Sequence, residues 1–339
     1  MIPLGLDQMA IGIGRRQFMS ALGGTALAWP LSAHAQQTVM PVIGLLHPGS
    51  SSEFVDFVAA FRKGLSQTGF VEGQNLAIEY RWADNHYERL PALAAELVRH
   101  QVTVIAAIGG AAPAKAAKAA TTTIPIIFIA AGDPVKDDLV SSLNRPGGNL
   151  TGLSLLNLAV AGKRLELLHE LIPKATLVDV LVNPTNPQTA PELEQLDVAA
   201  RSLRLQTRVH NVSNTDELLT AYAALVQDKA AALLVVSDPL FTSQRNEMVA
   251  LAARHAIPTV YQYREFATAG GLMSYGTNLV DAYRQSGVYT GKVLKGIKPA
   301  DLPVEQVTKF EMIVNLKAAR ALGLEVPTSI LLSADEVIE

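Results

Sequence analysis

Two Asp-Pro steps, Asp133-Pro134 and Asp238-Pro239, each stand directly after an apolar run and before a stretch of helical period. An aspartate in that place caps the helix by accepting its orphan N–H groups, and the proline takes the first helical position. The second carboxylate oxygen is then free to pair with a ligand ammonium. Loops of small residues hold comparable places: His47-Pro48-Gly49-Ser50-Ser51, Gly109-Gly110-Ala111-Ala112 and Gly132. Such residues let a ligand approach backbone N–H groups at a helix start, where the dipole favours an anion such as a carboxylate. Amides facing a carboxylate across one cleft would recognise a zwitterion. Asn157, Asn183, Asn186, Ser237 and Phe241 also follow apolar runs, as do Tyr275 and Gly276, with Tyr275 either an aromatic wall or a core residue. Tyr261 and Glu265 are further candidates that either reach the cleft or belong to a hinge.

Catalytic patterns are missing. His169-Glu170-Leu171-Ile172-Pro173 begins like a helical zinc motif but has proline where the second histidine must stand. Gly152-Leu153-Ser154 lacks the closing glycine of a nucleophile elbow, since position 156 is Leu156. There is no phosphate-binding G-x-x-x-x-G-K-[ST] loop, and the scattered histidines have no metal spacing. No metal and no cofactor are expected.

The elements that position these residues alternate. Val42 to Leu46, Leu76 to Tyr80, Val102 to Ile108 and Ile124 to Ala130 read as buried strands, separated by helices such as the one carrying Phe54, Phe57, Val58, Phe61 and Leu65. Beyond the breaker cluster Asn144-Arg145-Pro146-Gly147-Gly148-Asn149, a second series follows, with strands at 151–155, 177–182, 207–212, 232–236 and 259–261. Continuous apolar strands between helices predict two α/β lobes, each a doubly wound parallel sheet, joined by a hinge. The strand 271–275 and helix 281–294 are assigned back to the first lobe. The expected division is thus 37–150 plus 271–303 for the first lobe, and 151–270 plus 304–339 for the second. In open parallel sheets ligands bind beyond the carboxyl ends of the strands, which is where the candidates lie.

The 339-residue chain is 49% apolar and 17% charged, which suits two packed lobes and excludes dominant disorder. With 28 Lys+Arg against 31 Asp+Glu, there is no basic excess for nucleic acid. Zero cysteines exclude a disulfide framework, a thiolate metal site and a lipid-modified cysteine. Residues 1–36 read as a cleaved export signal. Arg15-Arg16 precedes a short apolar run that ends in Ala33-His34-Ala35, and the paired arginines point to the twin-arginine (Tat) route. No later segment offers about 20 unbroken apolar residues, so no membrane insertion is expected. A periplasmic protein follows.

The order and spacing of several stretches resemble the substrate-binding proteins of ABC transporters, in particular the tryptophan/tyrosine-type group. They are Arg15-Arg16-Gln17-Phe18, Ala33-His34-Ala35-Gln36-Gln37, Gly73-Gln74-Asn75, Glu79-Tyr80-Arg81-Trp82-Ala83 and Gly132-Asp133-Pro134-Val135. The asparagine-to-asparagine cluster at 144–149, Ala252-Ala253-Arg254-His255 and Gly270-Gly271-Leu272-Met273-Ser274-Tyr275-Gly276 continue the match. The resemblance implies a type I periplasmic-binding-protein fold that closes on an amino acid and presents it to a membrane permease driven by an ATPase, without catalysis. It carries ligand contacts onto Gly109, Gly110, Ala111, Asp133, Asn183, Ser237 and Asp238. One departure is that many members have a hydroxyl residue in the first-lobe glycine loop, whereas this chain has Gly110-Ala111-Ala112 and keeps only backbone amides there.

The leading expectation is a monomeric receptor for a small zwitterion or carboxylate. One alternative is a ligand-sensing module that signals through a membrane receptor. The other is an enzyme using Asp133 and Asp238 as a carboxylate pair, which the missing nucleophile, base and metal partners disfavour.

Overall fold

A computed structural model describes residues 40–339, so the expected export signal lies outside the described residues. The first sheet is built from β1 (Val42–His47), α1 (Val55–Gln67), β2 (Ala77–Trp82), α2 (Leu90–Arg99), β3 (Val104–Ala107), α3 (Ala111–Ala120), β4 (Ile126–Ala130) and β5 (Leu150–Ser154). The chain then passes to α4 (Ala161–Leu171), β6 (Leu177–Val182), α5 (Thr189–Leu203), β7 (Gln206–Asn211), α6 (Thr215–Gln227) and β8 (Leu233–Val235). The same lobe continues with α7 (Pro239–Ser243), α8 (Arg245–Arg254), β9 (Thr259–Tyr261), α9 (Arg264–Thr268) and β10 (Met273–Thr277). It returns to the first lobe for α10 (Leu279–Leu294) and β11 (Glu305–Gln306). It ends in the second with β12 (Phe310–Asn315), α11 (Leu316–Ala321), α12 (Thr328–Ser333) and β13 (Glu336–Ile338).

The first sheet has the order β11-β5-β4-β3-β1-β2 and the second β13-β12-β10-β9-β8-β6-β7. Among the described residues every strand pairing is parallel except β10 with β12. Strands that are apolar on both faces explain this. All five residues of β4 and all four of β3 are buried, because helices cover both sides of the sheet. The chain crosses between lobes three times, after β5, after β10 and after β11, and these crossings form the hinge.

Three strands, β5, β10 and β11, lie in the other sheet from the one the sequence suggested. β5 pairs with β4, with Ile126 opposite Leu150 and Ala130 opposite Ser154, so it closes the first lobe rather than opening the second. The breaker cluster at 144–149 is the end of a helix-free loop that feeds this strand. Leu139 and Val140 of that loop are buried in the first-lobe core, supplying the cover a crossover helix gives elsewhere. β10 pairs with β9 and β12 and stays in the second lobe. α10 crosses back as expected, and β11 goes with it, since Glu305 pairs opposite Leu153 and Gln306 opposite Ser154 in the first sheet rather than the second.

α10 docks on α1 through glycines. A Cβ on Gly64 would lie 1.8 Å from the Arg284 carbonyl oxygen, and one on Gly287 would lie 2.1 Å from that of Phe61. Backbone cannot yield as a side-chain tip does, so the helices touch at a distance that a methyl group forbids. Gly64→Ala is expected to push α10 off the lobe and cost about 1–3 kcal/mol through overpacking, read as a lower urea midpoint.

Candidate functional site

Between the lobes lies a narrow cavity with about 40 Å³ of space for water-sized molecules. Its apolar walls are Phe54, Tyr87, Ile129 and Leu155 from the first lobe, Tyr263 from the second, and Leu279 and Tyr283 from α10. Its polar groups come from the loops after β3, β6 and β8.

The first of these loops is Gly109-Gly110, with φ of 98° and 118°. Both values lie where only glycine is unstrained. Gly109 also rests on His47, since a Cβ there would come within 2.7 Å of Nε2. The turn aims the start of α3 at the cavity. Gly110 donates to the Ile129 carbonyl, whereas the amides of Ala111 and Ala112 find no acceptor among the described residues, and α3 has no side-chain cap. Two free N–H groups at a ten-residue helix start make an anion cradle.

Opposite stands Asp238, 2% exposed, the N-cap of α7. Its Oδ1 accepts from the Leu240 amide at 2.7 Å and from Asn183 Nδ2 at 3.3 Å. Its Oδ2 accepts from Asn186 Nδ2 at 2.7 Å and from the Tyr87 hydroxyl at 3.1 Å. Burial pushes this carboxyl up to about 6, against the pull of those four donors. Tyr87 is the only one of the four that comes from the first lobe. Asp238 and Tyr87 therefore stitch the cleft shut.

Ser237 is held by its amide, which donates to the Glu192 carboxylate at 3.1 and 3.3 Å. Its Oγ is buried against the cavity with no partner among the described residues, leaving a hydroxyl to serve a ligand.

Of the residues singled out from sequence, Gly109, Gly110, Ala111, Asn186, Ser237 and Asp238 line the cavity together. Asn183 stands behind them and orients Asp238. His47 does not reach the cavity. It is fully buried against Phe54 and Trp82, its Nδ1 accepts from the Gly49 amide at 2.9 Å, and its Nε2 then donates to the Tyr283 hydroxyl at 2.7 Å. Burial drops its pKa to about 3, so it stays neutral and fixes a wall residue.

Other candidates lie elsewhere. Asp133 is exposed, caps the amides of Val135 and Lys136, and lines an outer crevice. Ser50 and Ser51 remain in the outer turn after β1, while Phe54 enters the cavity in their place. Asn157 is buried in the first crossing, where Oδ1 accepts from the Thr277 hydroxyl at 3.1 Å and ties two crossings together. Phe241 and Tyr261 are fully buried in the core, Tyr261 stacked on Phe266 at 4.6 Å. Tyr275 packs on Phe310, and Gly276 lies so close to the Gln262 carbonyl that a Cβ would stand 2.0 Å away. Glu265 lines a separate crevice with Lys63 and Arg284, its carboxyl raised by burial.

Sequence reading missed Phe54, Tyr87, Gln188, Thr242, Tyr263 and Tyr283, all of which line the cavity. Tyr263 and Gln188 were within reach, each lying just beyond a strand already singled out. Tyr283 and Phe54 were not, because they sit at helical positions that also read as core.

Two α/β lobes around a polar-apolar cavity, connected by three crossings, define a type I periplasmic-binding-protein fold, a class that holds small solutes between its halves. Residues 44–338 match the family described as ABC transporter substrate binding protein, and the chain belongs to it. A tyrosine-binding protein of Clostridioides difficile is 30% identical over 277 residues, covering 82% of this chain and 78% of that one. The structure is similar to an ABC domain from Streptococcus pneumoniae in complex with L-Trp, with TM-score 0.78, 26% identity, and coverage of 88% of this chain and 99% of that one. It is also similar to a ligand-free, open substrate binding protein from Clostridium difficile at the same identity and coverage, but with TM-score 0.59. The family is one of substrate-binding proteins rather than enzymes. No helix among the described residues is long and apolar enough to cross a membrane.

Proposed function

We propose that the protein is the periplasmic solute receptor of an ABC importer and that its ligand is an aromatic amino acid. The observation that carries this reading is one cavity holding three complementary features. The free Ala111 and Ala112 amides suit a carboxylate, buried Asp238 suits an ammonium, and Phe54, Tyr87, Tyr263 and Tyr283 suit a ring. The tyrosine-binding relative and the L-Trp complex support the same chemistry. Closure follows from differential affinity, because a ligand touching both lobes favours their closed setting. The closed receptor then hands its ligand to a permease and ATPase. The twin arginine and Ala33-His34-Ala35 support export to the periplasm by the Tat route.

The test is thermal denaturation with L-tryptophan, L-tyrosine and L-phenylalanine beside indole-3-acetate and tryptamine, which lack the ammonium and the carboxylate respectively. At a hundredfold excess over Kd, a true ligand adds about 2.7 kcal/mol. An aromatic amino acid should stabilise the protein and both truncated analogues should fail. Equal stabilisation by the analogues, or none by any amino acid, overturns the reading.

A further inference from the structure

Gln188 borders two spaces. One side of it faces the ligand cavity, and the other an outer crevice rimmed by exposed Asp133, Lys136 and Glu194. The side chain, 2% exposed, leaves the second lobe just ahead of α5 and reaches into the first. There Nε2 donates to both carboxylate oxygens of Asp137, at 2.8 and 2.9 Å. Lys115 Nζ lies 3.6 Å from Asp137 Oδ1 and offsets its charge from within the first lobe. Gly132 makes room for the contact, since a Cβ there would stand 2.4 Å from Gln188 Oε1.

We propose that Gln188, Asp137 and Gly132 form an inter-lobe clasp that divides the cavity from the outer crevice and sets how fast ligand leaves. This rests on the ligand-binding reading above. Gln188 is a positioning residue in this scheme, acting through the closed setting of the lobes. A hydrogen bond to a carboxylate is among the stronger neutral-to-charged contacts, and here it exists only when the lobes are closed. Losing it therefore raises the closed-to-open rate and leaves the encounter rate alone.

Gly132→Ala tests the geometry while leaving the residues Gln188 and Asp137 themselves unchanged. The added methyl meets the tip of a flexible side chain, so the amide must swing away from Asp137. Gln188→Ala removes the same contact from the other side. With L-tryptophan as probe, each single variant should raise koff about tenfold while kon stays within twofold, as expected for one charge-assisted bond. The Gly132→Ala/Gln188→Ala double variant should be no worse than either single one, because both act on one contact. Multiplying effects, or a koff within twofold of wild type in Gln188→Ala, overturn the clasp.

Lobe distance gives a second readout that does not depend on which ligand the cavity takes. The chain has no cysteine, so exposed Val71→Cys in the first lobe and Val198→Cys in the second accept dyes cleanly. Single-molecule energy transfer should show a smaller closed fraction in all three clasp variants. Equal closed fractions in the four proteins, with L-tryptophan and without it, overturn the proposal whatever the cavity binds.

Discussion

Replacing Arg164 by methionine is expected to destabilise the protein by about 3–5 kcal/mol, because it strands the Glu192 carboxylate in the core of the second lobe. Both side chains are fully buried and their closest atoms are 2.6 Å apart. Burial raises the Glu192 carboxyl, and Arg164 together with the Ser237 amide pulls it back. With the guanidinium gone, that opposing pull is lost and the carboxyl rises further. A raised carboxyl binds its proton more tightly in the folded than in the unfolded protein, so the penalty is full at high pH and shrinks as pH falls toward the ordinary glutamate range. Urea denaturation at pH 8 and pH 5 should therefore show the larger loss at pH 8. Adding Glu192→Gln should recover most of it, since the amide oxygen still accepts from Ser237 and no charge is left buried. A single-variant loss below about 1 kcal/mol at pH 8 would mean the site stays hydrated.

The position of this pair gives it more than a packing role. Arg164 donates to the carbonyls of Asn157, at 3.3 Å, and Tyr275, at 3.5 Å, beside two of the crossings. Glu192 holds the amide of Ser237, which lines the cavity. One buried ion pair thus fixes the hinge side of the second lobe and the loop that carries Asp238 to a common frame.

How much of this the chain discloses in advance depends on range. The alternation of apolar strands and helices, the glycine turn after β3 and the capping aspartate after β8 are local signals. Each is legible because a few neighbouring residues determine it. Asp133 and Asp238 look alike at that range, since both follow a buried strand and precede proline, but the helix expected after Asp133 is absent and its side chain caps only a turn of the helix-free loop. They part company through tertiary surroundings. Asp238 is walled in by Asn183, Asn186 and, across the cleft, Tyr87, whereas Asp133 faces water. The same holds for β5 and β10. A strand's own residues state that it is buried, but which sheet receives it depends on the partners it meets, and breaker residues mark turns within a lobe as readily as passages between lobes. Tyr283 was hidden for a related reason. Its ring occupies a helix position indistinguishable from core until α10 is seen to cross from one lobe to the other.

The contrast between the two aspartates leads to the second large effect, on the binding of the proposed amino-acid ligand. Asp238 has all four of its acceptor positions filled, and the Tyr87 hydroxyl is the single donor that leaves when the lobes part. On the proposed reading, a ligand ammonium entering from the cleft would take that place and meet a carboxylate that must be ionised to pair with it. Because burial holds the carboxyl at about 6, affinity should be flat above that pH and fall below it, approaching tenfold per pH unit, until the complex itself takes up the proton. Asp238→Asn keeps the helix cap, asparagine being as good an N-cap as aspartate, but removes the charge. It should weaken L-tryptophan by about 2 kcal/mol or more, thirtyfold or beyond, and flatten the pH profile between 5 and 7. Titration calorimetry at several pH values reads both effects. A variant that binds as tightly as wild type, or that keeps the pH dependence, would move the ammonium away from Asp238 and leave the Ser237 hydroxyl and Asn186 as its hosts.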